Sequence, residues 1–254
     1  NFALVIDGVL QTNPTALNQE LANVSQIEVL KGPQGALYGR NAVAGAMILT
    51  TRKPGDTPSI DVSAGYGSDN TYKASVFASG PLGGAVKGAL SAYRRKSDGQ
   101  WHNRYLDCDD CVDRFEENGV SGRLLFEVGS GEIDVKAKYS KVKAGAINFN
   151  AAVALKEVAD AISFPALNED PNGHGFFYVN NIPSRNEQEN VNLSVRGEWD
   201  VGVGTLTGVA AYNDQNNFFL TDGTSGAFGL YAALPTCQAP AAASLPAERR
   251  ALVI

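Results

Sequence analysis

The feature that most constrains the fold of this chain is a strict alternation of apolar and polar residues in several short segments. In residues 132–140, every second side chain from Ile133 to Tyr139 is apolar, and the residues between them are charged or polar. Residues 190–200 repeat the pattern. Because successive side chains of a β-strand point to opposite faces, each segment predicts a strand with one apolar face. Five further segments fit, which brings the predicted strands to seven: 59–67, 72–80, 86–96, 120–128 and 205–213.

The connections between these segments alternate between two kinds. Three are tight, namely 81–85, 129–131 and 201–204. At the opposite end, 67–71 is short, but the others are long: 97–118, 143–188 and 214–254. An outer-membrane β-barrel has short periplasmic turns and long extracellular loops, whereas a soluble sandwich has no reason to sort its loops in this way. Residues 59–254 are therefore predicted to form antiparallel transmembrane β-barrel strands, too few to close a large barrel that holds a plug.

Aromatic residues fall near the ends of the predicted strands. Tyr66, Tyr72, Tyr139 and Tyr212 lie toward the long loops, and Trp199 lies toward a tight turn. This placement predicts two girdles of aromatic residues, one at each interface between the membrane and water. Ordinary aromatic packing between the strands of a soluble sheet is the alternative.

Composition excludes several classes of protein. The formal net charge is -6 and no basic run is present, which argues against a nucleic-acid binder. No run of 18 apolar residues predicts a transmembrane helix. A Gly-x-Ser-x-Gly motif is absent, and His102 and His174 both lie in predicted loops, so we expect neither an enzyme nor a cofactor.

The predicted loop 97–118 is rich in acidic residues and contains Cys108 and Cys111. We expect a solvated acidic loop, although a calcium site stays open because the EF-hand spacing is missing but carboxylates are dense. The close cysteine pair predicts a small disulfide loop, with a redox pair as the alternative. Cys237 stands alone, and its pairing is left open. A short helix is predicted within loop 143–188, at residues 151–162.

Residues 1–53 differ from the rest, because apolar runs flank a glycine-dense loop at 31–45. We predict a compact mixed α/β domain here, followed by a linker at 54–58. The loop lacks the Gly-Lys-Ser/Thr ending of a phosphate-binding loop, and its glycines do not match a dinucleotide fingerprint. Its glycines and proline instead suit turns and close backbone approach. These residues are Gly32, Pro33, Gly35, Gly39 and Gly45, with Tyr38 between them.

The string from Ile27 to Gly39, IEVLKGPQGALYG, closely resembles the end of the plug domain of TonB-dependent outer-membrane receptors. The preceding Val5-Ile6-Asp7-Gly8-Val9 resembles a plug strand and turn of that family. The resemblance implies that residues 1–53 are the C-terminal part of a plug and that the strands behind it begin a barrel. The chain starts within a predicted strand and stops as a new apolar run begins after a loop rich in alanine and proline, so we expect it to be a fragment of a longer receptor.

The resemblance also implies contacts between the plug and the barrel wall. In this family the basic residue before Gly-Pro pairs with acidic residues of the wall. That residue is Lys31 here, and Arg40 is a second candidate. A surface cation on a turn is the alternative for both.

The function implied by the resemblance is active uptake of a scarce nutrient, such as an iron-siderophore, across the outer membrane of a Gram-negative bacterium. The expected partners are outer-membrane lipid, a small-molecule substrate, and TonB with its inner-membrane complex, acting through a segment N-terminal to this chain. A passive pore or a surface adhesin is the alternative, but neither explains the plug string. The sequence does not identify the ligand.

Overall fold

The computed structural model describes residues 2–11, 23–38, 42–104, 106–145, 156–161, 163, 168, 178 and 182–221. They form two sheets, which we call the small sheet and the large sheet.

The small sheet has four strands in the order β2-β1-β4-β3. They are β1 (Ala3–Ile6), β2 (Val9–Leu10), β3 (Val24–Lys31) and β4 (Gly45–Thr51). Strands β1 and β4 pair in parallel, and the other pairs are antiparallel. A compact core of Ala3, Ala42 and Ala46 packs against Leu30 and Tyr38.

Helical structure is sparse in the described part of the chain. One turn of helix, α1 (Gly35–Tyr38), lies between β3 and β4, and α2 (Lys156–Ala161) lies between two strands of the large sheet. Glycine-rich sequence favours turns over helix at α1. The α/β character predicted for the first domain is therefore not confirmed, since its described part is a mixed sheet with a single helical turn. The predicted helix at 151–162 is observed over α2, and residues 151–155 and 162 lie outside the described residues. Neither helix is long and apolar enough to cross a membrane, among the residues that the structure describes.

The large sheet is an open antiparallel meander of seven strands. Each strand pairs with the next along the chain, and β5 and β11 form the two edges. The strands are β5 (Ser59–Tyr66), β6 (Tyr72–Gly83), β7 (Val86–Ser97), β8 (Phe115–Val128), β9 (Gly131–Ala144), β10 (Arg185–Asp200) and β11 (Thr205–Leu220).

Four of these strands extend well beyond their predicted ends. Strands β8 and β9 have 14 residues each, and β10 and β11 have 16 each. A tilted transmembrane strand needs only about 9–11 residues. The strands lengthen toward the long loops, so the connections at that end begin later and end earlier than predicted.

The burial of the large sheet is inverted relative to a soluble protein. Asp134 and Ser140 are 3% and 0% exposed, whereas Leu124 and Val195 on the other face are 40% and 45% exposed. The small sheet packs against the part of this polar face around Arg123 and Lys136, as the contacts described below show. Water-soluble sheets bury their apolar face, so this arrangement is typical of a barrel wall surrounded by lipid.

Candidate functional site: the interface between the two sheets

A buried ion pair on the large sheet forms the centre of the interface. Arg123 of β8 donates from Nε and Nη2 to the two carboxylate oxygens of Asp134 on β9, at 3.0 and 2.8 Å. Their side chains are 8% and 3% exposed. The remaining nitrogen, Nη1, donates to the carbonyl oxygens of Thr51 and Arg52 at 3.1 and 2.9 Å. One guanidinium therefore pairs with a carboxylate of the large sheet and also donates to backbone carbonyls at the end of β4.

Asp7 extends this network from the side of the small sheet. It occupies a tight turn with φ of 51°, followed by Gly8 at 83°. Its carboxylate accepts hydrogen bonds from the backbone amide and the hydroxyl of Thr51, at 2.8 and 2.7 Å. The ammonium of Lys136 lies 3.2 Å from Asp7 and 3.0 Å from Asp134. Every charge of the chain Asp7–Lys136–Asp134–Arg123 thus has a partner of opposite sign, which a buried polar network requires.

More exposed ion pairs fasten the segment after β4. Arg52 contacts Asp61 at 2.6 Å and stacks 4.0 Å from the centre of the Phe77 ring. Lys53 contacts Glu132 at 2.5 Å. Pairs with this exposure contribute little to stability individually. They fix the direction in which the chain passes from the small sheet to the large one.

A cavity of about 100 Å³ remains between the sheets. The small sheet contributes Val9 and Gln11 to its lining, and the large sheet contributes Lys138, Asn192 and Asn213. Asn23 and Ser121 also line the cavity, and the Asn23 side-chain amide donates to the Ser121 hydroxyl at 3.4 Å. Apolar side chains of Ile6, Val24 and Phe77 also line the cavity. The interface is therefore mixed in polarity and imperfectly filled, which suits two parts that separate more easily than a packed apolar core.

The structure describes most of the residues predicted to form the plug loop. Gly32 has φ of 80°, and Gly45 has φ of 145° with the position of a Cβ only 2.4 Å from the carbonyl oxygen of Leu30. Only glycine fits these two positions without strain. Pro33 precedes α1, which begins at Gly35 and ends at Tyr38. Gly39 lies outside the described residues.

The two predicted contact cations remain predictions. Lys31 is exposed at the end of β3 and has no carboxylate within 4.0 Å among the residues described. Arg40 lies outside the described residues. Among the described residues, the cations that join the two sheets are Arg123 and Lys136 of the large sheet and Arg52 and Lys53 of the segment after β4. Alternation placed Arg123 and Lys136 on the polar face, but nothing local in the sequence indicates their partners.

The loop between β7 and β8 is compact. Cys108 and Cys111 form a disulfide with Cα atoms 5.9 Å apart. Asn103 is fully buried and pairs through its backbone with Cys108 and with Tyr178, which is 1% exposed. The loop after β9 therefore docks on this one through Tyr178.

Ionic and polar contacts order the rest of this loop. The Asp113 carboxylate accepts hydrogen bonds from the backbone amides of Gln100 and Trp101, at 3.0 and 3.1 Å. The amide of Asn70 and the ammonium of Lys96 lower the pKa of the Asp98 carboxyl. No group of three or more histidine, cysteine or acidic residues is placed to hold a metal ion in the described part of the chain.

Comparison with known proteins gives a consistent family. Residues 1–46 match the family model described as TonB-dependent Receptor Plug Domain. The pesticin receptor of Yersinia pestis is 34% identical over 108 residues, which cover 42% of this chain and 16% of that protein. Vitamin B12 transporter BtuB of Vibrio vulnificus is 26% identical over 227 residues, which cover 84% of this chain and 34% of that protein. The chain thus spans between about a sixth and a third of the length of these relatives.

Solved structures share the fold. The ferric yersiniabactin uptake receptor FyuA from Yersinia pestis superposes with a TM-score of 0.69 at 22% identity, over 86% of this chain and 32% of that one. The open form of the ferric-catecholate import receptor Fiu from E. coli K12 gives 0.68 at 20% identity, over 85% and 32%. At these identities the likeness establishes the fold alone.

Proposed function

We propose that this chain, which carries the plug domain of a TonB-dependent receptor, serves the active uptake of an iron-siderophore or a similar chelate across the outer membrane of a Gram-negative bacterium. The observation that carries the proposal is that the small sheet packs on the polar face of the large sheet, while the apolar face of the large sheet is exposed. A plug inside a barrel requires this arrangement. In this proposal residues 1–53 are the C-terminal part of the plug, residues 54–58 link it to the wall, and the large sheet is the first part of the barrel.

The outward face of the large sheet fits contact with lipid. On β10, its outward apolar positions run from Val191 to Trp199, about 26 Å along the strand at about 3.3 Å per residue. A transmembrane strand tilted by about 45° needs about 9–11 residues, and the nine residues of this stretch meet that length. Toward the long loops, Tyr139 ends the band on β9, and Lys141 and Lys143 follow on the same face. An aromatic residue followed by charges marks the interface between hydrocarbon and headgroups.

The interface between the sheets suits energised release. The network around Asp7 and Arg123 is held by ion pairs and hydrogen bonds, and the cavity beside it leaves the two sheets incompletely packed. Such contacts exchange for water without exposing a large apolar surface. A pull by TonB on the plug would therefore free the small sheet from the wall and open a route past it. The substrate would bind on the side of the long loops and pass through this route.

The test is uptake of radioactive iron by a Gram-negative strain that lacks its own ferric-chelate receptors and expresses the complete receptor containing this chain. A panel of ferric siderophores is supplied to cells with and without TonB. The proposal predicts uptake of at least one complex only in cells that contain TonB. Equal uptake in both strains would show a passive pore instead, and no uptake of any complex would contradict transport of iron chelates.

A further inference from the structure

The inner face of β10 and β11 carries a run of carboxamide side chains. Three pairs face each other in register: Asn192 with Asn213, Asn190 with Gln215, and Gln188 with Asn217. Asn186 extends the run at the loop end. We call these seven residues the amide track. They lie on the same face as Lys136 and Lys138, because Asn192 pairs with Lys138 on β9.

The amide track connects the loop end of the wall to the plug. At the end of the track farthest from the long loops, the pair Asn192 and Asn213 lines the cavity beside Val9 and Gln11 of the small sheet. At the end near the long loops, Asn186 lies next to the first residue of β10. From Asn186 to Asn192 the strand advances six positions, which span about 20 Å at about 3.3 Å per residue. The track thus covers the path that a substrate would take from the loops to the plug.

One member of the track has unused hydrogen-bonding capacity. Gln188 is 6% exposed, and its Oε1 has no hydrogen-bond partner among the described residues. Asn190 is 4% exposed and donates only weakly to the hydroxyl of Ser140, at 3.5 Å. A buried amide oxygen without a donor is costly, so native proteins supply one from a neighbour, a water or a ligand. Here the missing donor fits an N–H or O–H group of a molecule on the track.

The charge around the track favours a neutral ligand. On the inner face, Arg123 and Lys136 are neutralised by Asp134 and Asp7, and Arg95 lies 3.7 Å from Glu117. Lys138, at the lower end, is the one cation adjoining the track, and it has no carboxylate within 4.0 Å among the residues that the structure describes. A multiply charged anion would exchange its hydration for a row of neutral amides, which is unfavourable without several compensating cations.

Resting on the proposed function, we infer that the amide track receives ferric chelates of zero net charge with an amide-rich surface, in preference to highly anionic ones. Iron(III) bound by three hydroxamate monoanions is neutral, whereas iron(III) bound by three catecholate dianions is a trianion. Carboxamides donate and accept at once, so they match the N–H and C=O groups of a peptide-like hydroxamate. A trianionic complex would find only Lys138 for its charge along this stretch.

The experiment uses the complete receptor containing this chain and two probes, ferrichrome as the neutral trihydroxamate and ferric enterobactin as the trianionic tris-catecholate. Equilibrium binding is measured in detergent for the natural protein, Gln188→Met, Asn217→Leu and Asn216→Leu. Asn216 is the matched control, because it neighbours Asn217 on β11 but faces outward. Retention of the heat-modifiable band on unboiled gels establishes that each variant is folded.

We expect ferrichrome to bind more tightly than ferric enterobactin. Gln188→Met and Asn217→Leu should each weaken ferrichrome about three- to tenfold, the loss of roughly one hydrogen bond, while Asn216→Leu has no effect. Tighter binding of ferric enterobactin, or equal affinities in all four proteins, would overturn the inference. A separate uptake assay distinguishes failure of the amide-track inference from failure of the proposed function. If either complex enters cells only when TonB is present, the proposed function stands even when the amide track has no role.

Discussion

Arg123 and Asp134 form a bidentate ion pair on the wall, and the same guanidinium holds the backbone carbonyl oxygens of Thr51 and Arg52 at the end of the small sheet. The planar guanidinium offers five N–H donors in fixed directions, so it can serve a carboxylate and two carbonyls together. This one side chain therefore joins the two sheets, and substitutions there should affect both.

Replacing Arg123 with alanine should strongly destabilise the protein, because the buried Asp134 would lose both hydrogen bonds of the guanidinium and keep only its contact with Lys136 among the described cations. Removal of one member of a buried pair typically costs about 3–5 kcal/mol. The stability of Arg123→Lys should lie between that of the natural protein and that of Arg123→Ala, because lysine keeps the positive charge but cannot make the two parallel hydrogen bonds of the guanidinium. The measurement is the urea concentration at which half of the protein loses its heat-modifiable band. An unchanged midpoint for Arg123→Ala would contradict the role assigned to this residue.

Asp7→Asn should loosen the small sheet while leaving the wall intact. Asparagine tolerates a positive φ as aspartate does, so the turn itself is not strained. The substitution removes the charge facing Lys136 and weakens the hydrogen bonds to Thr51, at a cost of about 1–3 kcal/mol. We expect faster amide hydrogen exchange in β1 and β4, and unchanged exchange in β8 and β9. The control is Asp61→Asn, whose exposed pair with Arg52 contributes little; equal effects of the two variants would refute the prediction.

Neighbouring residues of β10 should respond oppositely to a charge. Val195 lies at the middle of the outward apolar band, and Ser194 faces inward. Val195→Lys should destabilise the folded receptor by about 2–4 kcal/mol, the cost of lysine at the bilayer midplane. Ser194→Lys should cost far less, since the inner face is polar. The comparison is made by urea unfolding in lipid vesicles. A larger loss for Ser194→Lys would reverse the assignment of the two faces.

Removal of the disulfide through Cys108→Ser and Cys111→Ser should act locally. The bond closes a very small loop, so the chain-entropy effect is about 2 kcal/mol and is confined to the segment between β7 and β8. That segment also holds Asn103 against Tyr178. We expect faster protease cleavage between residues 98 and 114 with an unchanged urea midpoint of the barrel. A lower midpoint would mean that the loop supports the wall.

The strand centres were predictable from the sequence, and the strand ends were not. Alternation predicts a strand only where one face is apolar. Beyond Tyr139, β9 places Lys141 and Lys143 outward, and β10 begins with Glu187 and Glu189 on the same face. On β10 both faces are polar there, since Asn186 and Gln188 face inward, and on β9 the apolar residues change to the inner face at Val142 and Ala144. The outward apolar pattern therefore ends while the backbone pairing continues. The strands consequently run several residues past the last predicted position.

The candidate site was predictable only in part. The Asp7–Gly8 turn and the polar face of β8 were evident from local sequence. Their meeting was not, because Asp7 reaches Thr51 across 44 positions and Arg123 reaches it across 72. Such pairings depend on how one sheet sits against the other, which no local pattern encodes. The resemblance directed attention to Lys31, whereas the described contacts come from the opposite end of β4.

The central claim is that the apolar face of the large sheet meets lipid and its polar face meets the plug. The most direct test is a spin-label scan of the complete receptor in lipid vesicles, with single cysteines at each position from Val191 to Trp199. The account predicts a period of two: labels at odd-numbered positions collide with oxygen dissolved in the lipid, and labels at even-numbered positions are shielded from it. Uniform access to a water-soluble nickel reagent at all positions would contradict the account and assign this sheet to a protein outside the membrane.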